Sequence, residues 1–178
     1  MIAYTLLILL VAAERVAELV LSRRHLAWAR RRGGVEHGRR HYPGFIVVQF
    51  VLLAGAPLEV WLLGRPFVPA LGWPMLTVAV LAQALRWWCI ASLRERWNTR
   101  VVTVPGLPLV DRGPYRFLHH PNYVAVVAEG VALPLVHTAW LTASVFTVAN
   151  LGMLAVRLRV ENAALRQASP AGAAPGPG

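Results

Sequence analysis

The chain has 178 residues, 57% of them hydrophobic and only 15% charged, with a mean hydropathy of +0.52. A soluble domain carries about 25% charged residues, and the apolar excess here is gathered into runs that reach the roughly 20 residues a bilayer crossing needs. The composition therefore excludes an ordinary soluble domain and predicts one integral membrane domain over residues 1–167.

The formal net charge of +10 rests on arginine alone, eighteen of them without a lysine. Their placement decides between a nucleic-acid surface and a membrane topology. Seven lie between the first two apolar runs, five precede the fourth, three follow the fifth, and Arg65 alone falls in a loop on the other side. That alternation follows the positive-inside rule, so nucleic acid is not an expected partner.

The first span is predicted over residues 2–21. Its second half, AERVAELVLSRR, places Glu14 and Glu18 four residues apart on one helix face, where they avoid lipid by facing the bundle interior or interfacial water beside Arg15. An interfacial polar cluster and a functional role are both open for them. The run lacks a basic leading segment and continues into these charges, so it reads as a retained span and not a cleavable signal peptide. Residues 23–42 read as a basic, glycine-containing loop, for which a topogenic role is favoured over attraction to anionic lipid headgroups.

The second span is predicted over 43–63 and the third over 70–93, joined by the short turn GRPFVP. Trp61 and Trp73 flank that turn as interfacial aromatics do. Glu59 and Arg86 lie inside apolar runs near their ends, where snorkelling to the interface is the expected explanation. Cys89 is the single cysteine, which leaves neither an intrachain disulfide nor a CxxC metal site.

Residues 94–121 form the longest polar interval, with two X-Pro turns, the β-prone VVTV and the stretch GPYRFLHHPNY reaching into the next span. Its aromatic and apolar content argues for order. The fourth span, 122–136, is short and carries Glu129 and Pro134; an acid inside a helix that barely crosses needs polar partners from its neighbours. The fifth, 139–156, passes directly into VRLRVENAALRQ, a helix emerging into the cytoplasm, and ASPAGAAPGPG (168–178) reads as a disordered low-complexity tail. The predicted fold is all-α: a polytopic bundle of about five transmembrane helices, N-terminus outside, C-terminal helix cytoplasmic. All the unusual polar residues then converge on the cytoplasmic side.

GxGxxG, P-loop, GxSxG and HExxH signatures are absent. His119 and His120 are adjacent, hence about 100° apart on a helix and unable to chelate one metal readily; no metal is expected. Two clusters remain, the loop from Leu107 to Tyr123 and the pair Arg157 and Glu161, four residues apart on a helix leaving the membrane. By spacing alone the pair is as well explained as a surface ion pair contributing a few tenths of a kcal/mol.

GPYRFLHHPNYVAVVAEGVALPL followed by an Arg-x-x-x-Glu helix resembles the isoprenylcysteine carboxyl methyltransferase family of membrane methyltransferases. The family pattern is roughly G-x-Y-x-x-x-R-H-P-x-Y-x-G, a span, and R-I-x-x-E-E-x-x-L. Here it reads Gly113, Tyr115, His119, His120, Pro121, Tyr123, Ala125, then Arg157, Leu158, Glu161, Asn162 and Leu165. The likeness covers about residues 96–165, and AERVAELVLSRR resembles short bacterial members. The chain departs from the pattern at His119 (Arg), Ala125 (Gly) and Asn162 (Glu).

The resemblance implies an S-adenosylmethionine-dependent O-methyltransferase acting on a carboxylate, acidic enol or phenol of a lipophilic acceptor, in the bacterial cytoplasmic membrane with its site open to the cytosol. It further implies a cofactor cradle of Leu107, Pro108, Leu109, Val110, Tyr115, His120, Pro121, Asn122 and Tyr123, with Glu161 on the cofactor's polar end. Arg157 would face the acceptor oxygen, and Arg157 and Glu161 would be the catalytic pair. Membrane lipids and the lipophilic acceptor are the expected partners. Two other readings stand beside it. Sterol and enone reductases using NADPH share the HPNY element, but carry an acid three residues after the Tyr, where this chain has Val126 and reaches an acid only at Glu129. A non-catalytic adaptor presenting the basic loop leaves both clusters unexplained.

Overall fold

The inward stripe of the first helix changes character halfway along, and the bundle is organised around that change. In this computed structural model, which describes residues 1–38, 42–108 and 110–168, helix α1 spans Ile2–Arg30. Its buried positions recur every three or four residues: Tyr4, Ile8, Val11, then Arg15, Glu18, Ser22, then Leu26 and Ala29. Helices α2 (Tyr42–Leu62), α3 (Pro69–Leu93), α4 (Pro121–Leu135) and α5 (Trp140–Ala168) follow.

The all-α membrane bundle expected from the sequence is what forms, with five helices among the described residues. Three segments, Tyr42–Leu62, Pro69–Arg96 and Trp140–Glu161, are by themselves long and apolar enough to cross a membrane. Helix α1 carries Glu14, Arg15 and Glu18 in its middle, and α4 has only 15 residues, about 22 Å at 1.5 Å per residue against a hydrocarbon core of roughly 30 Å. The expected tail lies, apart from Ala168, outside the described residues.

The 23–42 segment is not simply a loop. Helix α1 continues through it to Arg30, and Val35–His37 forms a strand, β1, antiparallel to β2 (Val101–Thr103). The β-prone VVTV thus finds its partner in the first basic segment, and the two polar intervals form one ribbon at one end of the bundle. Gly33 and Gly38, at φ of +73° and +67°, bracket β1 where the chain must reverse.

The apolar half of the core joins Tyr4, Ile8 and Val11 of α1 to Leu52, Ala56 and Val60 of α2, Leu133 of α4 and Phe146 of α5. Small residues let these helices approach: a Cβ at Gly130 would overlap the Phe146 ring, and one at Gly44 would press on Met153. The Tyr4 hydroxyl donates to the Leu133 carbonyl at 3.1 Å.

The charged half is a closed network. Arg15 donates to both oxygens of Glu129 at 2.7 and 2.8 Å and pairs with Glu18, while Arg86 reaches Glu129 at 2.8 Å and Glu18 at 3.4 Å. Two arginines and two glutamates from α1, α3 and α4 thereby neutralise one another, all of them buried. Gln83 adds an oxygen to Arg15 at 2.9 Å and donates to Glu14. The polar partners predicted for Glu129 are therefore Arg15 and Arg86. Arg86 does not snorkel. The ends of its side chain and of Glu59 face inward, where a complementary charge or an unpaired backbone amide offsets the cost of leaving water.

Glu59 works at the end opposite the ribbon. Its carboxylate accepts from the backbone amides of Leu141 and Thr142 at 3.1 and 2.7 Å and from Arg65 Nε at 3.0 Å. It thus satisfies two of the amides that a helix N-terminus leaves open and anchors α5 to α2. The tight α4–α5 turn places Thr138 at φ +54°, with its hydroxyl donating to the Pro66 carbonyl at 3.0 Å. Trp61 and Trp73, more than half exposed beside this end, suit the interfacial role expected of them.

Removing one member of the closed network leaves the opposite charges unpaired in a low-dielectric interior. Glu129→Ala is expected to destabilise the bundle by about 3–5 kcal/mol, measured by reversible unfolding in mixed micelles. Val131→Ala, two residues away and only half-buried, should cost far less.

Candidate active site

The helix start encoded by HHPNY brings the two motif clusters together. Pro121 opens α4, its fixed φ and missing N–H suiting the first helical position, and Tyr123 follows in the same turn. The Tyr123 hydroxyl accepts from Arg157 Nε at 3.0 Å and donates to the Glu161 carboxylate. Arg157 and Glu161, one turn apart on α5, are thus joined through a phenol from α4, an arrangement that a surface ion pair does not produce.

Arg157 is held from four sides. Its Nη1 donates to the Thr99 carbonyl at 2.8 Å, and its guanidinium lies 5.4 Å from the Phe45 ring centroid and 5.6 Å from that of Tyr123. Aromatic faces attract a guanidinium electrostatically and limit its tumbling. The His120 ring stacks on Tyr123, with centroids 5.1 Å apart and planes 14° apart, and its Nδ1 is 3.9 Å from Glu161 Oε1.

Tyr115 shares a hydrogen bond with the Cys89 thiol and lies within electrostatic reach of Glu161 and Tyr123. It stands in a 3-10 turn, Gly113–Arg116, beneath which Arg112 Nε donates to the Ser92 carbonyl at 2.7 Å. Burial, reinforced by the Cys89 thiol and the Glu161 carboxylate, pushes the Tyr115 phenol far above its usual range, so it remains a neutral hydrogen-bonding group at physiological pH. Gly113 sits at φ +60°, and a Cβ there would overlap Ser92 Oγ and lie 3.1 Å from Trp88 Nε1. The glycine that opens the motif is required by this close approach.

A cavity of about 130 Å³ borders the cluster, lined by Leu93, Arg96, Asn98, Arg100, Arg157, Glu161 and strand β2. Leu107 and Pro108 are exposed, the Pro108 carbonyl accepting from Arg96 Nη1 at 2.6 Å. Val110 is half-buried, while Leu109 lies outside the described residues.

The residues singled out from the sequence thus fall into a joined group, His120, Tyr123, Arg157 and Glu161, with Tyr115 hydrogen-bonded to Cys89 within electrostatic reach of it, and a peripheral strip, Leu107 and Pro108. Asn122 shows a buried side-chain oxygen that meets no donor among the described residues. Sequence reasoning missed Phe45, Thr99, Asn98, Arg96 and Arg100. Thr99 acts through its carbonyl, which every residue has, and Phe45 stands in an apolar run that gives it no distinguishing mark. Of the three departures from the motif, His119 is exposed, Ala125 is fully buried within α4, and the side chain of Asn162 lies outside the described residues.

A polytopic helical membrane protein with a Tyr-bridged Arg/Glu pair at one end of its bundle is the class that fold and site define. Residues 75–167 match the isoprenylcysteine carboxyl methyltransferase (ICMT) family. The chain belongs to that family of membrane methyltransferases. It is 34% identical over 167 residues to the uncharacterized protein YpbQ of Bacillus subtilis (strain 168), covering 93% of this chain and 98% of that one. An uncharacterized protein of Haemophilus influenzae (strain Rd) is 24% identical over 163 residues, 90% of this chain and 93% of its own. No solved structure matches the chain.

The left-handed backbone at position 113 carries a prediction. Gly113→Ala is expected to cost about 1–2 kcal/mol from backbone strain, with a further loss from the overlap with Ser92. Reversible unfolding in mixed micelles measures it. Gly152→Ala, in α5 where a Cβ meets open space, should be neutral or slightly stabilising.

Proposed function

We propose that the protein is an S-adenosylmethionine-dependent O-methyltransferase whose acceptor is a lipophilic carboxylate, acidic enol or phenol presented at the cytosolic face of a bacterial cytoplasmic membrane. The observation that carries this reading is the bridge Arg157–Tyr123–Glu161 beside the Pro121 start of α4. It draws the two motifs of the family pattern into a single group with cavity space next to it.

The residues present suit the cofactor. Asn122 offers a buried oxygen in need of a donor, matching an amino group; Glu161 offers a carboxylate to a cation; and the stacked His120 and Tyr123 rings offer faces to a sulfonium. When bound, S-adenosylmethionine supplies an electrophilic methyl group for in-line displacement. Leu107, Pro108, Leu109, Val110 and Tyr115 complete the cradle in this reading. The cavity is smaller than the roughly 300–1,000 Å³ of typical ligand pockets, so the exposed strip at Leu107 and Pro108 is needed as a continuation of the site.

The work left to the protein is alignment and exclusion of water. An acceptor oxygen that is already ionised needs no strong base, but once desolvated it needs a cation. Arg157 supplies one that stays protonated and matches a carboxylate geometrically. Tyr123 and the Thr99 carbonyl orient that guanidinium by occupying Nε and Nη1, and Glu161 fixes the Tyr123 hydroxyl from the far side. A lipophilic acceptor explains why such a site stands at the end of a membrane bundle: the tail stays among the helices while the polar head meets Arg157. The reductase alternative loses its acid, because Glu129 is buried in the network with Arg15 and Arg86.

The protein in nanodiscs, supplied with S-adenosylmethionine carrying a labelled methyl group and, in turn, an alkylresorcinol, an alkylpyrone and a farnesylated cysteine, is expected to label at least one of them. Calorimetric titration should show binding of S-adenosylhomocysteine and none of NADPH; the reverse would overturn the reading. Arg157→Ala should lower turnover by roughly 10²-fold or more while affinity for S-adenosylhomocysteine changes only a few-fold. Undiminished turnover in that variant removes Arg157 from its role.

A further inference from the structure

The environment of Arg157 is set by a helix that contributes nothing to either motif. The Thr99 carbonyl that receives Arg157 Nη1 belongs to a short segment, Trp97 to Thr99, between α3 and β2. That segment is gripped by α1. Ser22, buried in α1, donates through Oγ to Asn98 Oδ1 at 2.8 Å, shares a 2.8 Å hydrogen bond with Thr99 Oγ1 and accepts from the Thr99 amide at 3.1 Å. A serine hydroxyl has one donor and two acceptor positions, and all three are used on this turn. The Asn98 amide donates back to the Ser22 carbonyl at 3.2 Å, and one turn further along α1 His25 Nδ1 contacts the Trp97 carbonyl at 2.8 Å. Tyr42, at the start of α2, reaches Thr99 Oγ1 at 3.3 Å.

We propose that Ser22 is a positioning residue for Arg157, acting through the Asn98–Thr99 turn. The inference rests on the reading of Arg157 as the group that faces the acceptor oxygen. Ser22 lies outside the family-matched segment 75–167. Its position one turn beyond Glu18, on the same inward stripe of α1, means that the closed charge network sets the register in which Ser22 meets the turn. Without the hydroxyl, the Thr99 amide loses its acceptor and Asn98 Oδ1 keeps only the Arg100 amide at 3.0 Å. The peptide carrying the Thr99 carbonyl is then held to α1 only through the Asn98–Ser22 carbonyl bond and the His25–Trp97 contact, and aims less firmly at the guanidinium.

Two measurements on the full chain in nanodiscs test this. The first reads Arg157 directly: modification by phenylglyoxal, followed by mass spectrometry, with Arg65 at the opposite end as internal reference. Ser22→Ala and Asn98→Ala are each expected to raise the modification rate of Arg157 several-fold while Arg65 is unaltered. An unchanged Arg157 rate in both variants, or an equal rise at Arg65, overturns the proposal. The second reads transfer of the labelled methyl group to whichever acceptor of the alkylresorcinol, alkylpyrone and farnesylated cysteine panel is active. Ser22→Ala should reduce kcat by roughly ten- to a hundredfold, with affinity for S-adenosylhomocysteine within about twofold. A loss of cofactor affinity that parallels the loss of kcat would overturn the proposal, since it signals general loosening. The two readings fail separately: absence of methyl transfer in the unaltered protein counts against the proposed function, whereas the phenylglyoxal result judges Ser22 on its own.

Discussion

The pairing of Arg15 and Arg86 with Glu18 and Glu129 is the constraint on which the remaining structure depends. Charges taken out of water inside a bundle are tolerated only when neutralised and hydrogen-bonded, and these four come from three helices that no other buried ionic contact unites among the described residues. The arrangement favours one register of α1 against α3 and α4, because a shift by a single residue would turn Arg15 away from Glu129 and Glu18 away from Arg86 and leave unpaired charges facing apolar neighbours. A purely apolar stripe on α1 would pack in several registers at similar free energy. The network stabilises little in net terms, since desolvation opposes its Coulombic gain, but it discriminates strongly between arrangements.

The consequences run toward the ribbon end. With α1 in register, Ser22 and His25 meet the Trp97–Thr99 segment, and β1 is delivered to β2. With α5 held at its far end by Glu59 and about one turn further along by the close approach of Phe146 to Gly130, Arg157 and Glu161 emerge facing the first turn of α4. The shortness of α4 then has a purpose: starting at Pro121, it places Tyr123 at the level where α5 changes from apolar to charged. The candidate site is thus assembled from groups whose positions are decided at both ends of the bundle.

Such a site is suited to holding an ionised oxygen and a cation beside one another without strong acid–base chemistry. Arg157 has its donors directed by a phenol and a carbonyl, and Glu161 is engaged through the same phenol. Tyr115, a phenol that is neutral at physiological pH in any case, is pushed further toward its neutral form by burial. Under the proposed function, an acceptor whose own oxygen ionises readily would need from the protein only orientation and dryness, and the membrane would supply a route for its apolar part.

The architecture was legible in the sequence because hydropathy, arginine alternation and the punctuation by Pro66, Pro69 and Pro121 are local properties: each apolar run must become a helix in lipid, where no backbone group can be left unpaired. The candidates Tyr115, His120, Tyr123, Arg157 and Glu161 were named through the resemblance to the family pattern and not by spacing alone, and Glu129 announced its need for partners by its depth. Other features were not. Arg86 and Glu59 looked like snorkelling side chains because composition records that a charge lies near a helix end but not which way it faces. The extension of α1 through the basic segment, and the strand it leads to, depended on a partner strand some sixty residues away. Thr99, Asn98, Ser22 and Phe45 carry no motif, and their roles arise from a carbonyl, a hydroxyl and a ring that only a particular packing brings to Arg157. By itself the sequence determined the class of fold and nominated candidate residues for chemistry. Tertiary structure alone decided how those residues are aimed, because orientation depends on contacts between segments far apart in the chain.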